Sequence, residues 1–291
     1  MSRASALISA FTLVVAVGLP SAACTRKPAP EPSATPTVPA SASDLPTQAP
    51  SASPSSSPSP PKANPTKSPT KPPTSPATAF PASLRGQDLT RIPTTRKIVA
   101  LTFDAGANAN GLTKILATLD AKNATGTFFL TGDFAKAYPS RAREISTAGY
   151  RLGNHTVDHP HLPQLTDAQI RAQVLNADAM IQEATGNSPR PWFRFPYGDR
   201  DAHTIALVNG YGYACIRWTV DTLGWKGTSG GQSASTVTQR VLAAATPGEI
   251  VLMHVGSNPD DHTTLDADAL AAVIDGLRAK GYSFVTLDAL L

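Results

Sequence analysis

From residue 98 to its end the chain repeats one pattern about seven times: a short apolar run, a polar break, a helical stretch, then another apolar run. The runs at 98–103, 125–130, 150–153, 192–195, 213–220, 250–254 and 283–287 read as strands. They show little of the in–out alternation of a half-exposed strand, as expected when both faces of a parallel sheet are covered. Between them, Thr166-Asp167-Ala168-Gln169 has capping-box spacing, after which Ile170, Val174, Ala177 and Ile181 fall on one helical face. Leu270, Val273, Ile274 and Leu277 do the same in the last helix, which is expected to stop at Gly281. Such regular alternation restricts the fold to a parallel α/β sheet or barrel. Polar clusters after five of the strands favour a distorted (β/α) barrel of about seven parallel strands.

Upstream of residue 82 the composition changes abruptly. Eighteen of the 27 prolines lie there, with Ser, Thr, Ala and Lys supplying most of the rest. A segment so poor in apolar surface cannot offset its ordering entropy, so residues 24–82 are expected to be a disordered, extended spacer. The first 82 residues also carry the whole net charge of +4. The folded part is therefore neutral, which argues against nucleic-acid binding. At the N-terminus, Arg3, the apolar run from Ala6 to Leu19, Pro20 and the small residues Ser21 to Ala23 read as an export signal over 1–23. The apolar run is too short for a membrane-spanning helix, which needs about 20 residues. Cys24 stands where bacterial lipoproteins carry their lipidated cysteine, although Ser21 replaces the usual leucine. A lipid anchor and simple secretion both fit. Cys215, flanked by Tyr213, Ala214, Ile216 and Trp218, reads as a buried strand residue, and no disulfide to the tail is expected. No protein partner is implied.

The polar clusters carry the chemistry. Asp104 ends the first strand immediately before Ala105-Gly106. Capping the glycine turn would be an ordinary use of that carboxylate; at a strand's mouth it can also act as a general base. His155 and His159 are four apart after the third strand, so both imidazoles can face one ion, although paired loop histidines are common without one. Arg194 lies within an apolar run, where a lone charge is costly and a buried carboxylate partner is the usual resolution. Pro196-Tyr197-Gly198 turns the chain sharply and can present a backbone N–H to an oxyanion. His254 ends an apolar strand, which alone fits a core histidine, but Gly256 leaves room for a ligand and the imidazole could protonate a leaving amine. Trp225, after Asp221-Thr222-Leu223-Gly224, is either core packing or a wall against a sugar face.

Taken in order, Thr102-Phe103-Asp104-Ala105-Gly106, His155-Thr156-Val157-Asp158-His159, Arg194-Phe195-Pro196-Tyr197, Asp221-Thr222-Leu223-Gly224-Trp225 and Leu252-Met253-His254 resemble the five motifs of polysaccharide deacetylases with a NodB homology domain, carbohydrate esterase family 4. The resemblance covers about residues 95–291. It implies a distorted barrel that removes N-acetyl, sometimes O-acetyl, groups from polysaccharides with a divalent metal, usually zinc or cobalt. By position, Asp104 matches the catalytic base, His155 and His159 two metal ligands, and Arg194 the residue orienting the base. Tyr197 matches the residue whose N–H holds the oxyanion, His254 the general acid, and Trp225 and Leu252 residues shaping the acetyl pocket.

Two positions depart from the family pattern. Ala105 stands where members carry a third, aspartate metal ligand; either the ion rests on His155 and His159 with waters, or another oxygen such as Asp104 itself or Asn108 substitutes, or the site is metal-poor. Gly224 stands where many members carry an aspartate that tunes the acid histidine, a role Asp221 could fill at longer range. The sequence thus points to an exported deacetylase acting on an acetylated polysaccharide, most simply peptidoglycan. The alternative is a glycan-binding domain that has lost turnover through Ala105. A small-substrate amidase on the same scaffold is disfavoured by the export signal and spacer.

Overall fold

The structure, a computed structural model, describes residues 80–291. The expected signal peptide (1–23), Cys24 and nearly all of the 24–82 spacer lie outside the described residues. In chain order the elements are β1 (Asp88–Leu89), β2 (Ile98–Ala105), α1 (Leu112–Ala121), β3 (Thr127–Leu130), α2 (Gly132–Ala137), α3 (Pro139–Thr147), β4 (Arg151–Asn154) and α4 (Asp167–Thr185). They continue with β5 (Trp192–Phe193), α5 (Ala202–Gly210), β6 (Ala214–Ile216), β7 (Val220–Asp221), α6 (Ala234–Ala244), β8 (Glu249–His254), α7 (Leu265–Ala279) and β9 (Ser283–Val285).

The strands run β1-β6-β5-β4-β3-β2-β8-β7, every neighbouring pair parallel, with β9 added beside the first half of β2. The path bends into a distorted (β/α) barrel whose irregular seam lies between β6 and β8. The expected strand at 213–220 is in fact two. Residues 217–219 leave the ladder: the N–H of Arg217 donates to Leu89 O at 2.8 Å and that of Thr219 to Ile250 O at 2.8 Å. β1, too short to show a period in the sequence, fills this seam, and Arg91 forms an antiparallel bridge to Glu249. The packed unit also starts upstream of residue 95: Phe80, Leu84, Leu89 and Ile92 are buried against Ala100, Trp192 and Ile250.

β2 explains how the barrel positions a site. Its eight residues are all buried, because helices cover one face and the barrel interior the other. Val99, Leu101 and Phe103 join the cluster under α1 and α7, whereas Ile98 and Ala100 pack with Phe129, Trp192 and Ile250 inside. With a period of two, Thr102 and Asp104 continue the inner face. The inner stripe therefore changes from apolar to polar toward the C-terminal end of the strand. β8 repeats the arrangement: Val251 and Met253 face the helices, and Ile250, Leu252 and His254 alternate with them. α4 starts at the expected Thr166–Gln169 capping box and buries Ile170, Val174, Ala177 and Ile181. α7 buries Leu270, Val273, Ile274 and Leu277, but begins at Leu265, one turn earlier than its apolar stripe indicates.

Candidate active site

Parallel pairing sets Asp104 of β2 directly beside His254 of β8, since the two are register partners on strands roughly 4.8 Å apart. Both line a cavity of about 660 Å³ at the C-terminal end of the barrel, together with His155, His159, Tyr197, Asp221, Trp225 and Leu252. Of the residues matched to catalytic, metal-binding or pocket roles in the sequence, Arg194 is absent from this wall, because it lies behind Asp104, and the candidate substitute ligand Asn108 is absent from it too. Arg194 is fully buried; its Nη1 donates to Asp104 Oδ1 at 2.7 Å and its Nη2 to Thr102 Oγ1 at 2.8 Å. Its guanidinium also stacks 4.2 Å from the ring of Phe129. This is the partner carboxylate that a charge inside an apolar run requires.

The same arrangement fixes the electrostatics. Burial, the strongest single influence on Asp104, favours its neutral form, but Arg194, His155 and His254 outweigh it and hold the carboxyl below its ordinary 3.8. His155 Nδ1 lies 2.8 Å from Arg194 O, which turns Nε2 toward Asp104 Oδ2 at 3.4 Å. Burial is the main reason that His155 titrates below an ordinary histidine, against the pull of Asp104. Burial and the neighbouring His155 push His159 down to about 4. Both rings are neutral at physiological pH, the state a metal ligand needs. His254 is opposite in sign. Burial works against its protonation, but a hydrogen bond and charge from Asp266, with Asp104 and Asp221 behind, raise its pKa above the ordinary value.

A resident divalent ion is less well provided for. The rings of His155 and His159 are 4.8 Å apart between centroids, so the pair can converge. Ala105 offers no oxygen; its methyl is buried in the apolar cluster beneath the helices. Asn108 does not substitute, because its Oδ1 already accepts the N–H of Ser257 at 2.9 Å and of Asn110 at 3.1 Å. Asp104 Oδ1 is taken by Arg194, and its Oδ2 faces His155 Nε2 at 3.4 Å. Among the described residues no group of three or more His, Cys, Asp or Glu is disposed to hold a metal. Two imidazoles fall short of the three protein ligands of a catalytic zinc site, so the donor set does not fit.

The rim is strained and aromatic. Thr156, His159, Tyr197 and Leu223 all have positive φ although none is glycine, and such outliers, each costing about 1–3 kcal/mol, gather at functional sites. Tyr197 is 62% exposed, stacked on His161 at 4.1 Å and set edge-on to His159 at 4.4 Å. Trp225 is 47% exposed, so it is a wall and not core. Asp221 accepts the N–H of Leu223 at 2.9 Å and faces Trp225 Nε1 at 3.4 Å. The carboxylate in contact with His254 is Asp266, which the sequence reading missed: it lies in the first turn of α7, twelve residues away and outside every motif. Trp218, which also lines the cavity, carried no signal beyond its apolar strand. Chemically, a held carboxylate stands beside a protonatable imidazole on the wall of one cavity flanked by exposed rings.

Comparison with known proteins agrees with this geometry. The polysaccharide deacetylase family model matches residues 91–216. The peptidoglycan-N-acetylglucosamine deacetylase of Bacillus cereus is 35% identical over 195 residues, spanning 67% of this chain and 68% of that protein. Bacillus subtilis PdaA, a family 4 carbohydrate esterase, matches with a TM-score of 0.63 at 29% identity, covering 70% of this chain and 84% of that one. A CE4 family pseudoenzyme from Bacillus anthracis matches with a TM-score of 0.63 at 31% identity, covering 69% of this chain and 67% of that one. A mutant of that pseudoenzyme is described as having restored enzymatic activity.

Proposed function

Because the chain belongs to the polysaccharide deacetylase family, hydrolases of amide carbon–nitrogen bonds, we propose that it is an exported N-deacetylase of peptidoglycan. The observation that carries this reading is the pairing of Asp104 with His254 side by side at one cavity mouth, the first held ionised and the second inclined to protonation. Asp104, oriented by Arg194, takes a proton from a water attacking the acetyl carbonyl. The developing oxyanion meets the N–H of Tyr197. His254 gives its proton to the amine as the carbon–nitrogen bond breaks, leaving acetate and a free amino sugar. Trp225 and Tyr197 offer ring faces to the sugar, with Leu252 against the acetyl methyl. Members of the family are generally metal-dependent, and His155 and His159 are the residues that would face such an ion. Since two imidazoles do not complete the donor set, no step is routed through it.

The cell wall as substrate is supported by the Bacillus cereus relative and by the signal-like pattern over residues 1–23 ahead of the Pro-rich 24–82 segment. Cys24 is the proposed anchor point. A second reading, glycan binding without turnover, is favoured by one observation, the missing oxygen at Ala105. Acetate release from N-acetylglucosamine oligomers and from peptidoglycan separates the two. The deacetylase reading expects release that Asp104→Asn and His254→Ala abolish. Equal release from wild type and both variants, or none from wild type, refutes it.

A further inference from the structure

His254 meets a carboxylate that no motif contains. Asp266 is buried to 3% exposure. Its Oδ2 accepts the backbone N–H of His254 at 2.7 Å and faces His254 Nδ1 at 3.3 Å. One oxygen of Asp266 thus meets both the backbone N–H and the ring Nδ1 of His254, which leaves Nε2 as the nitrogen available to the cavity. The second carboxylate oxygen, Oδ1, is buried without a hydrogen-bond partner. A charge serving only the N-terminus of α7 would sit in solvent, as Asp268 does beside Lys114. A buried carboxylate left half satisfied costs stability, which points to a role other than packing.

Gly224 supplies an independent observation. A Cβ built on it would lie 2.3 Å from Asp266 Oδ1 and 2.6 Å from its Cγ. Any side chain at 224 would occupy the space the Asp266 carboxylate fills. The two positions are therefore mutually exclusive sources of one group: position 224 must be bare for the carboxylate to arrive from α7.

We infer that Asp266 is the positioning residue for His254, fixing its ring with Nδ1 on the carboxylate and Nε2 toward the substrate, and that Gly224 is the complementary vacancy. This rests on the deacetylase reading for its consequence, but not for its geometry. The other charged or titratable groups toward His254 are Asp104 from β2, His155 and His159 after β4, and Asp221 at the end of β7. None of them contacts Nδ1.

The test uses the full chain and N-acetylglucosamine oligomers. Asp266→Asn keeps the shape and removes the charge. The expected result is a fall in kcat of at least about tenfold with KM nearly unchanged, and an alkaline limb of the pH–rate profile displaced to lower pH. Relocating the group in Gly224→Asp/Asp266→Ala should recover more kcat than Asp266→Ala alone. Nitrogen-15 spectra of the His254 ring give a readout independent of turnover. They should show Nδ1 protonated in the wild type and a lower titration midpoint in Asp266→Asn. If the wild type releases no acetate, the deacetylase reading fails and the spectra alone decide the present one. Unchanged kcat and pH profile in Asp266→Asn, or a wild-type ring protonated on Nε2 alone in its neutral form, overturns it.

Discussion

Glu249 opens the strand that ends in His254, and its carboxylate is fully buried with neither oxygen hydrogen-bonded. Burial raises its pKa from 4.5 to about 7. The native state thus retains a proton that the unfolded chain releases between those values. Stability from the neutral acid is fully present below pH 4.5 and is lost as pH rises through about 7. At roughly 1.4 kcal/mol per pH unit, the full penalty for ionising the buried group is about 3 kcal/mol. Glu249→Gln removes the titration while keeping the volume. Urea unfolding of both proteins at pH 5 and pH 8.5 isolates this group, because every other titration cancels in the double difference. The variant should gain most of about 3 kcal/mol relative to wild type across that range. Its kcat should not change, since Glu249 lies at the opposite end of β8 from the cavity. Parallel stability curves for the two proteins would show that the carboxylate finds solvent or a partner, and would refute the reasoning.

Arg194→Met leaves Asp104 buried beside no cation; unfolding should become about 3–5 kcal/mol easier, and the acid limb of the activity profile should move up, as read by denaturation and a pH–rate series. Zinc should bind well short of the roughly 10–16 kcal/mol of four-ligand structural sites, and His155→Ala should weaken it further; tight stoichiometric binding in calorimetry would mean that another donor is recruited. Tyr197 has φ +57, so Tyr197→Gly should be about 1 kcal/mol more stable than Tyr197→Ala in thermal unfolding, while both raise KM equally by losing the exposed ring.

The fold was legible where the period of the apolar pattern was long enough to read. Residues 98–105 and 250–254 announce themselves, and the Thr166–Gln169 box fixes the start of α4. The seam was not legible. β1 and β7 are two residues each, and their pairing depends on hydrogen bonds from Arg217 and Thr219 to distant carbonyls, which no local window contains.

The site divides along the same line, and the division has a physical cause. Strand parity puts Asp104 and His254 on the inner face once the barrel is granted, and an arginine in an apolar run demands a carboxylate, so those residues could be read as chemistry. What parity cannot report is which neighbour satisfies a group from another element. Asp221, four residues before the motif tryptophan, was the longer-range candidate for tuning His254, yet its Oδ1 is taken by Leu223 N. Asn108, adjacent in sequence to the incomplete ligand set, is taken by Ser257 N. In each case a nearby backbone N–H competes for the oxygen, and short-range loop geometry wins because it needs no long chain closure. Asp266 escapes that competition: it sits in the first turn of α7, where the chain aims it at the end of β8. The groups hardest to infer from spacing are thus those whose partner is set by how a helix lands on the barrel. The missing side chain at Gly224, whose place the Asp266 carboxylate takes, is the one trace that such a landing leaves in the motif itself.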